Sequence, residues 1–167
     1  MLMRLKKLTD GVVLSLERES GVALQRSGHA GFFGPHDLLH YAVETTLGAR
    51  EGFLGLMAAG WDFEAFSDRE DPRYKAMPRE AVWIESFVDI MGRAYREQGW
   101  QDPELRAVWL EDVRDEITTQ AGRVGWDGPV ATDEQIVAIC EAYAALMRQW
   151  SEVPFGGHME VVFDLGD

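Results

Sequence analysis

The chain has 167 residues, 46% of them hydrophobic, and its 29 acidic and 16 basic residues give a formal net charge of −13. A chain of this length fits one domain and can bury a substantial core, so neither a disulfide nor a metal is needed merely to fold it. We therefore expect a single domain over residues 1–167. Its acidic surface repels phosphate backbones and anionic lipid headgroups, which argues against nucleic-acid binding.

The sequence shows no targeting or membrane-spanning pattern. Residues 1–7 carry charges but no long apolar run follows them, and no stretch approaches the ~20 apolar residues of a membrane span. The single cysteine, Cys140, excludes an intramolecular disulfide and lies within an apolar helical pattern, which indicates a buried and unreactive thiol. We expect a cytoplasmic protein without a membrane span.

Alternating apolar and polar residues predict an antiparallel sheet at the start of the chain. The alternation runs through 3–5, 12–16 and 22–24, and turn signals at 9–11 and 19–21 separate these segments. Strands of this kind bury one face of the sheet and leave the other in water. The three segments together are expected to form a meander.

Helical patterns follow the meander. Residues 27–34 contain three glycines and are expected to form a loop, after which Pro35 suits the first turn of a helix. Apolar residues at helical spacing, bounded by capping residues or helix breakers, indicate five helices in all. They are predicted at 35–47, 51–59, 78–98, 103–121 and from 132 to about 150.

The segment 61–77, between the second and third predicted helices, mixes aromatic and charged residues and is predicted to be irregular. Trp61, Phe63 and Phe66 would anchor it to the core as a surface connection. A lid over a pocket is the alternative. The pattern alone does not decide between the two interpretations.

Residues 159–163 alternate again and predict a C-terminal strand. Its natural partner is an exposed edge of the N-terminal meander, which would tie both ends of the chain into one sheet. Strands at both ends with helices between them give an α+β fold, a small antiparallel sheet with about five helices. An edge of the meander could also pair across a homodimer.

The segment 36–40, His-Asp-Leu-Leu-His, begins the first predicted helix and carries the most suggestive chemistry of the chain. On a helical wheel His40 lies about 40° from His36, and Glu44 lies about 80° from it on the same side. The apolar stripe of the helix falls within about 60° on the other side. The two histidines and the carboxylate therefore border the buried face of the helix.

Histidines four residues apart on a helix can bind one metal ion, so His36 and His40 are candidate ligands. Glu44, Asp37 or a distant residue would supply a third ligand. The wheel favours Glu44, because Asp37 stands about 100° from His36, where it could complement the helix dipole or orient a ligand instead. This set predicts Zn²⁺ or another divalent metal, and three protein ligands would leave a position open for hydrolytic chemistry.

Two resemblances accompany this segment. Residues 34–44, with Trp150, Pro154 and the strand at 159–163, resemble a signature of small bacterial proteins for which no activity is established. The His-Asp-x-x-His core resembles the zinc-binding signature of a ubiquinone-biosynthesis protein family, which adds a glutamate about a dozen residues later. Here Glu51 follows the second histidine by eleven residues. The second resemblance covers the motif alone and implies a zinc site.

Two interpretations without a metal stay open. The histidines could form a structural polar cluster, or they could perform acid–base chemistry unaided. In the first case the protein would be a non-enzymatic binding or interaction module, with the aromatic region around Trp61, Phe63 and Phe66 as its candidate surface. The sequence contains no Gly-x-Ser-x-Gly elbow, phosphate loop or Cys-x-x-Cys pair, so it names neither substrate nor reaction.

Overall fold

A computed structural model describes residues 1–29 and 33–166 of the chain. The glycine-rich loop predicted at 27–34 lies partly outside the described residues, and it is shorter than predicted, because a strand extends to Gly28 and a helix begins at Phe33. The α+β fold predicted from the sequence is confirmed, with strands at both ends of the described chain and helices between them.

The sheet has four antiparallel strands: β1 (Leu2–Lys7), β2 (Val12–Glu17), β3 (Ala23–Gly28) and β4 (His158–Val162). Their order across the sheet is β3-β2-β1-β4, so the C-terminal strand pairs with the outer edge of the meander, as predicted. Because β4 covers β1, a homodimer formed through the meander would have to use β3. That homodimer stays a prediction.

One face of the sheet is packed against the helices. Leu5 on β1 lies opposite Leu14 on β2 and opposite Met159 on β4. These three side chains are buried, as are Met3 and Leu16 on the same face. Fully burying an aliphatic side chain of this size contributes roughly 1.5–3 kcal/mol. The alternation in the sequence is thus the pattern of one buried sheet face.

The helices are α1 (Phe33–Leu47), α2 (Phe53–Ala58), α3 (Glu64–Ser67), α4 (Pro72–Lys75), α5 (Arg79–Glu97), α6 (Arg106–Val124) and α7 (Asp133–Glu152), with a 3-10 turn at Gly99–Gln101. The five predicted helices correspond to α1, α2, α5, α6 and α7. The single-turn helices α3 and α4 lie in the segment predicted to be irregular. Every helix in the described ranges is too short or too polar to cross a lipid bilayer.

The segment between α2 and α5 has local capping rather than a periodic apolar stripe. The Asp71 side chain accepts a hydrogen bond from the backbone N–H of Arg73 at 2.7 Å and so begins α4. Trp61, Phe63 and Phe66 are half-buried and pack against the core. A single helical turn has too few residues to show a hydrophobic period, which is why the sequence pattern missed α3 and α4.

Helix α1 lies at the centre of the molecule and packs against β2, α2, α5 and α7. The buried charged or polar side chains of the described residues all belong to this helix. They are Asp37, His40 and Glu44. Buried charged groups are rare unless they are paired. Their concentration on α1 makes this helix the element that carries a candidate site.

The thiol of Cys140 is expected to be unreactive in the folded protein. It is 1% exposed, and burial, together with the charge of Glu141, raises its pKa to about 12. The thiolate is the nucleophile, so a disulfide reagent at about pH 8 should label the native protein slowly and the urea-unfolded protein fully. Absorbance of the released thiolate measures this, with Cys140→Ser as the blank. Rapid labelling of the native protein would contradict the burial.

Candidate metal centre

His36 and His40 lie one helical turn apart on α1. Their ring centroids are 4.7 Å apart and the rings meet edge to face. His40 is 2% exposed, while His36 is only partly buried. The predicted juxtaposition of the two imidazoles is therefore present in the structure.

Glu85, on α5, faces both histidines. Its Oε1 lies 3.6 Å from His36 Nε2, and its Oε2 lies 3.2 Å from His40 Nε2. One candidate ligand atom from each of the three residues lies within 4.8 Å of the others. Ligand atoms around a tetrahedral metal ion, with bonds of about 2.0–2.2 Å, lie about 3.3–3.6 Å from one another. The group is thus close to the spacing that a divalent cation requires.

Glu44 contacts His40 on the opposite side of the imidazole. Its Oε1 accepts a hydrogen bond from His40 Nδ1 at 3.0 Å. When His40 is neutral, a proton held on Nδ1 leaves the lone pair of Nε2 directed toward Glu85. A carboxylate that orients a histidine in this way is the usual second partner of a metal-binding imidazole.

The carboxylate of Glu44 also caps α2. It accepts the backbone N–H of Leu54 at 3.1 Å and that of Gly55 at 3.0 Å. The residue at the start of that helix, Gly52, has no side chain to do so. A Cβ on Gly52 would lie 2.5 Å from Glu44 Cδ. Because the backbone of Gly52 (φ −71°, ψ −177°) suits any residue, glycine is needed there for space and not for conformation.

Glu44 and Glu85 both affect the pKa of His40. Burial by itself would lower the pKa of His40, but hydrogen bonds to Glu44 and Glu85, and the charges of both, outweigh it and raise that pKa to about 9. Hydrogen bonds from His36 and His40 in turn hold the pKa of Glu85 well below its usual range. The contacts with Glu44 and Glu85 therefore favour the protonated form of His40 in the metal-free protein.

Asp37 is fully buried and forms an ion pair with Arg26 on β3. The guanidinium carbon of Arg26 lies 5.1 Å from the ring centres of Phe33, Phe53 and Phe63, so the cation is stacked among aromatic faces. Burial raises the pKa of Asp37, against the lowering effect of the Arg26 charge. The ion pair with Arg26 thus offsets only part of the cost of burying the Asp37 carboxylate.

A pocket of about 630 Å³ adjoins the three candidate ligands. His36, His40 and Glu85 line it together with aromatic side chains that include Phe53 and Phe66. The side chain of Glu85 is 59% exposed, so the group meets solvent on the side of α5. A polar group beside a concave, largely apolar surface is the usual arrangement of a small-molecule site.

The structure brings together two of the four predicted ligands, His36 and His40, and adds Glu85. The direct ligand roles predicted for Glu44 and Asp37 stay predictions; in the structure each of these carboxylates has another partner. Sequence reasoning missed Glu85 because it is an exposed carboxylate on a long helix, a pattern shared by many solvent-facing residues. Only the packing of α5 against α1 distinguishes it.

Comparison of the chain with protein-family models, with curated proteins and with solved structures found no match. The resemblance to the zinc signature of the ubiquinone-biosynthesis family therefore stays a prediction. Glu51, the residue nearest to the glutamate of that signature, is exposed, and its backbone N–H donates to Glu80 Oε2 at 2.5 Å.

Substitution Gly52→Ala tests whether the Glu44 carboxylate needs the space that the missing side chain of Gly52 provides. The added methyl would displace a fully buried carboxylate, and overpacking of this kind costs about 1–3 kcal/mol. We expect this loss in the free energy of unfolding, measured with urea. Amide hydrogen exchange at Leu54 and Gly55 should also accelerate, because both N–H groups lose their acceptor.

The matched control is Gly122→Ala on α6. A Cβ at Gly122 meets no atom within 4 Å, and the residue is exposed within a helix. Alanine is favoured over glycine there, so this variant should be as stable as the parent protein or more stable by up to about 1 kcal/mol. Equal stability changes in the two variants would contradict the proposed contact between Gly52 and Glu44.

The stability of the metal-free protein should depend on the titration of His40. The folded-state pKa of about 9 lies above the usual 6.5, so this stabilisation is full below about pH 6.5 and is lost as the pH rises through 9. We expect the free energy of unfolding to fall across this range by at most about 3 kcal/mol, less any screening at the exposed Glu85. Urea titrations in the presence of a chelator measure it. In His40→Gln this fall should disappear, and an unchanged fall would exclude His40 as its source.

Proposed function

We propose that this protein binds one divalent metal ion through His36, His40 and Glu85. The observation that carries the proposal is the convergence of the two Nε2 atoms on one carboxylate, at 3.6 and 3.2 Å. The hydrogen bond from His40 Nδ1 to Glu44 supports it, because it directs the other ring nitrogen toward the site.

Two imidazoles and a carboxylate suit Zn²⁺ or another borderline divalent ion. A divalent ion held by these three residues would keep a position for water or a ligand, which the adjoining pocket would make accessible. A metal ion in such a position lowers the pKa of bound water and polarises a carbonyl group. The proposed site is therefore compatible with hydrolysis, which we propose as the class of reaction to test first.

One observation favours a second candidate function. Both ring nitrogens of His40 already contact carboxylates, at 3.0 and 3.2 Å, so the cluster is satisfied without an ion. The protein would then be a non-enzymatic binding or interaction module that uses the same pocket, and the histidines would be structural. Metal titration separates the two candidates.

Zinc should bind the untagged, chelator-treated protein with a stoichiometry of one and raise its melting temperature. A ligand at 100 times its dissociation constant adds about 2.7 kcal/mol to stability. His36→Ala, His40→Ala and Glu85→Ala should each weaken zinc binding by at least a hundredfold. Chelator competition measures the affinity, and His158→Ala, which removes an exposed histidine on β4, is the matched control.

Glu44→Gln distinguishes an orienting residue from a ligand. Loss of an orienting carboxylate typically costs about 10–100-fold in metal affinity, less than the loss of a direct ligand. A larger effect for Glu44→Gln than for Glu85→Ala would restore the ligand set predicted from the sequence. If zinc neither binds nor stabilises the protein, while the histidine variants each lose about 1–3 kcal/mol, the cluster is structural.

A further inference from the structure

The pocket beside the candidate ligands has an aromatic wall that the binding of a metal ion does not require. The ring of Phe53 lies 5.4 Å from that of His40, and the ring of Phe66 lies 5.0 Å from that of Phe53 in a T-shaped contact. Both phenylalanines line the pocket. A continuous row of rings therefore leads away from the imidazole of His40, a candidate metal ligand.

The segment between α2 and α5 supplies much of the remaining apolar lining. Phe66, Tyr74 and Met77 face the pocket from this segment, and Val82 faces it from α5. The segment predicted from the sequence to be either a surface connection or a lid is thus one wall of the pocket. A volume of about 630 Å³ falls within the roughly 300–1,000 Å³ of small-molecule sites.

The charges that line the pocket oppose a polyanionic ligand. The lining includes the carboxylates of Glu85 and Asp89 and the guanidinium of Arg26, and the guanidinium is already paired with Asp37. Even with a divalent ion bound, the carboxylates of Glu85 and Asp89 would balance its two positive charges, so a phosphate-rich molecule would meet little uncompensated positive charge. An apolar body with a small polar head matches the lining better.

We propose that the pocket takes a small molecule with an aromatic body and one oxygen-bearing head, the head binding the metal ion and the body packing against Phe53 and Phe66. This inference rests on the proposed metal site and adds the class of ligand. Ring pairs at 4.5–7 Å are favourable beyond the apolar area that they bury, and the wall already shows such spacing.

Two probes with the same metal-binding head test it: benzohydroxamic acid and acetohydroxamic acid. Calorimetric titration of the zinc-loaded protein should show that the benzoyl compound binds at least tenfold more tightly, because its ring removes apolar surface from water. Phe66→Ala should reduce this ratio at least threefold and leave zinc affinity unchanged. Met77→Ala is the second variant, for use if Phe66→Ala does not fold.

Phe155→Ala is the matched control, since Phe155 is a 71% exposed aromatic residue that is not part of the pocket lining. It should leave the ratio of the two affinities unchanged. If the protein binds zinc but the zinc-loaded protein binds the two probes with equal affinity, the proposed class of ligand is wrong and the proposed metal site is unaffected. Failure of the parent protein to bind zinc would overturn the metal site, and the metal-bound head with it.

Discussion

The arrangement of this site depends on the hydrogen bonds that the buried carboxylate of Glu44 accepts. Three N–H groups surround it, one from the His40 imidazole on α1 and two from the start of α2. A carboxylate out of contact with water is tolerated only when it is bonded in this way. The same contact therefore orients a candidate metal ligand and holds α2, with Phe53 at its first position, against α1. The candidate metal ligands and the aromatic wall of the pocket are thus connected through the side chain of Glu44.

Much of the fold follows from local patterns in the sequence. The alternation of Met3 and Leu5 with polar neighbours describes a strand with one buried face, and such a pattern needs no knowledge of distant residues. The capping box formed by Thr132 and Gln135 likewise indicates the start of α7. In it each side chain accepts a hydrogen bond from the backbone N–H of the other residue. The pairing of the C-terminal strand with an edge of the meander was also predictable, because a strand needs an available edge, but the choice of β1 over β3 was not.

The candidate site was only half predictable, for a physical reason. Helical periodicity places His36, His40 and Glu44 along one edge of α1, but it does not say which ring nitrogen each carboxylate meets. Glu85 reaches the histidines through the packing of α5 on α1, and that packing brings together residues more than forty positions apart. The partner of Asp37, Arg26 on β3, was hidden in the same way. Contacts across elements depend on the way the elements pack, which local spacing does not encode.

The exposure of Glu85 would influence how fast an ion exchanges at the proposed metal centre. Two of the three proposed ligands project from the central helix, while the third projects from α5 with 59% of its side chain in solvent. An ion at this centre could enter or leave after a rotamer change of one surface side chain, without opening the core. The folded protein would therefore exchange its ion with solvent, and the fraction of occupied sites would change with the free concentration of the ion. The proposed centre would be exchangeable and would not require the ion to be incorporated during folding.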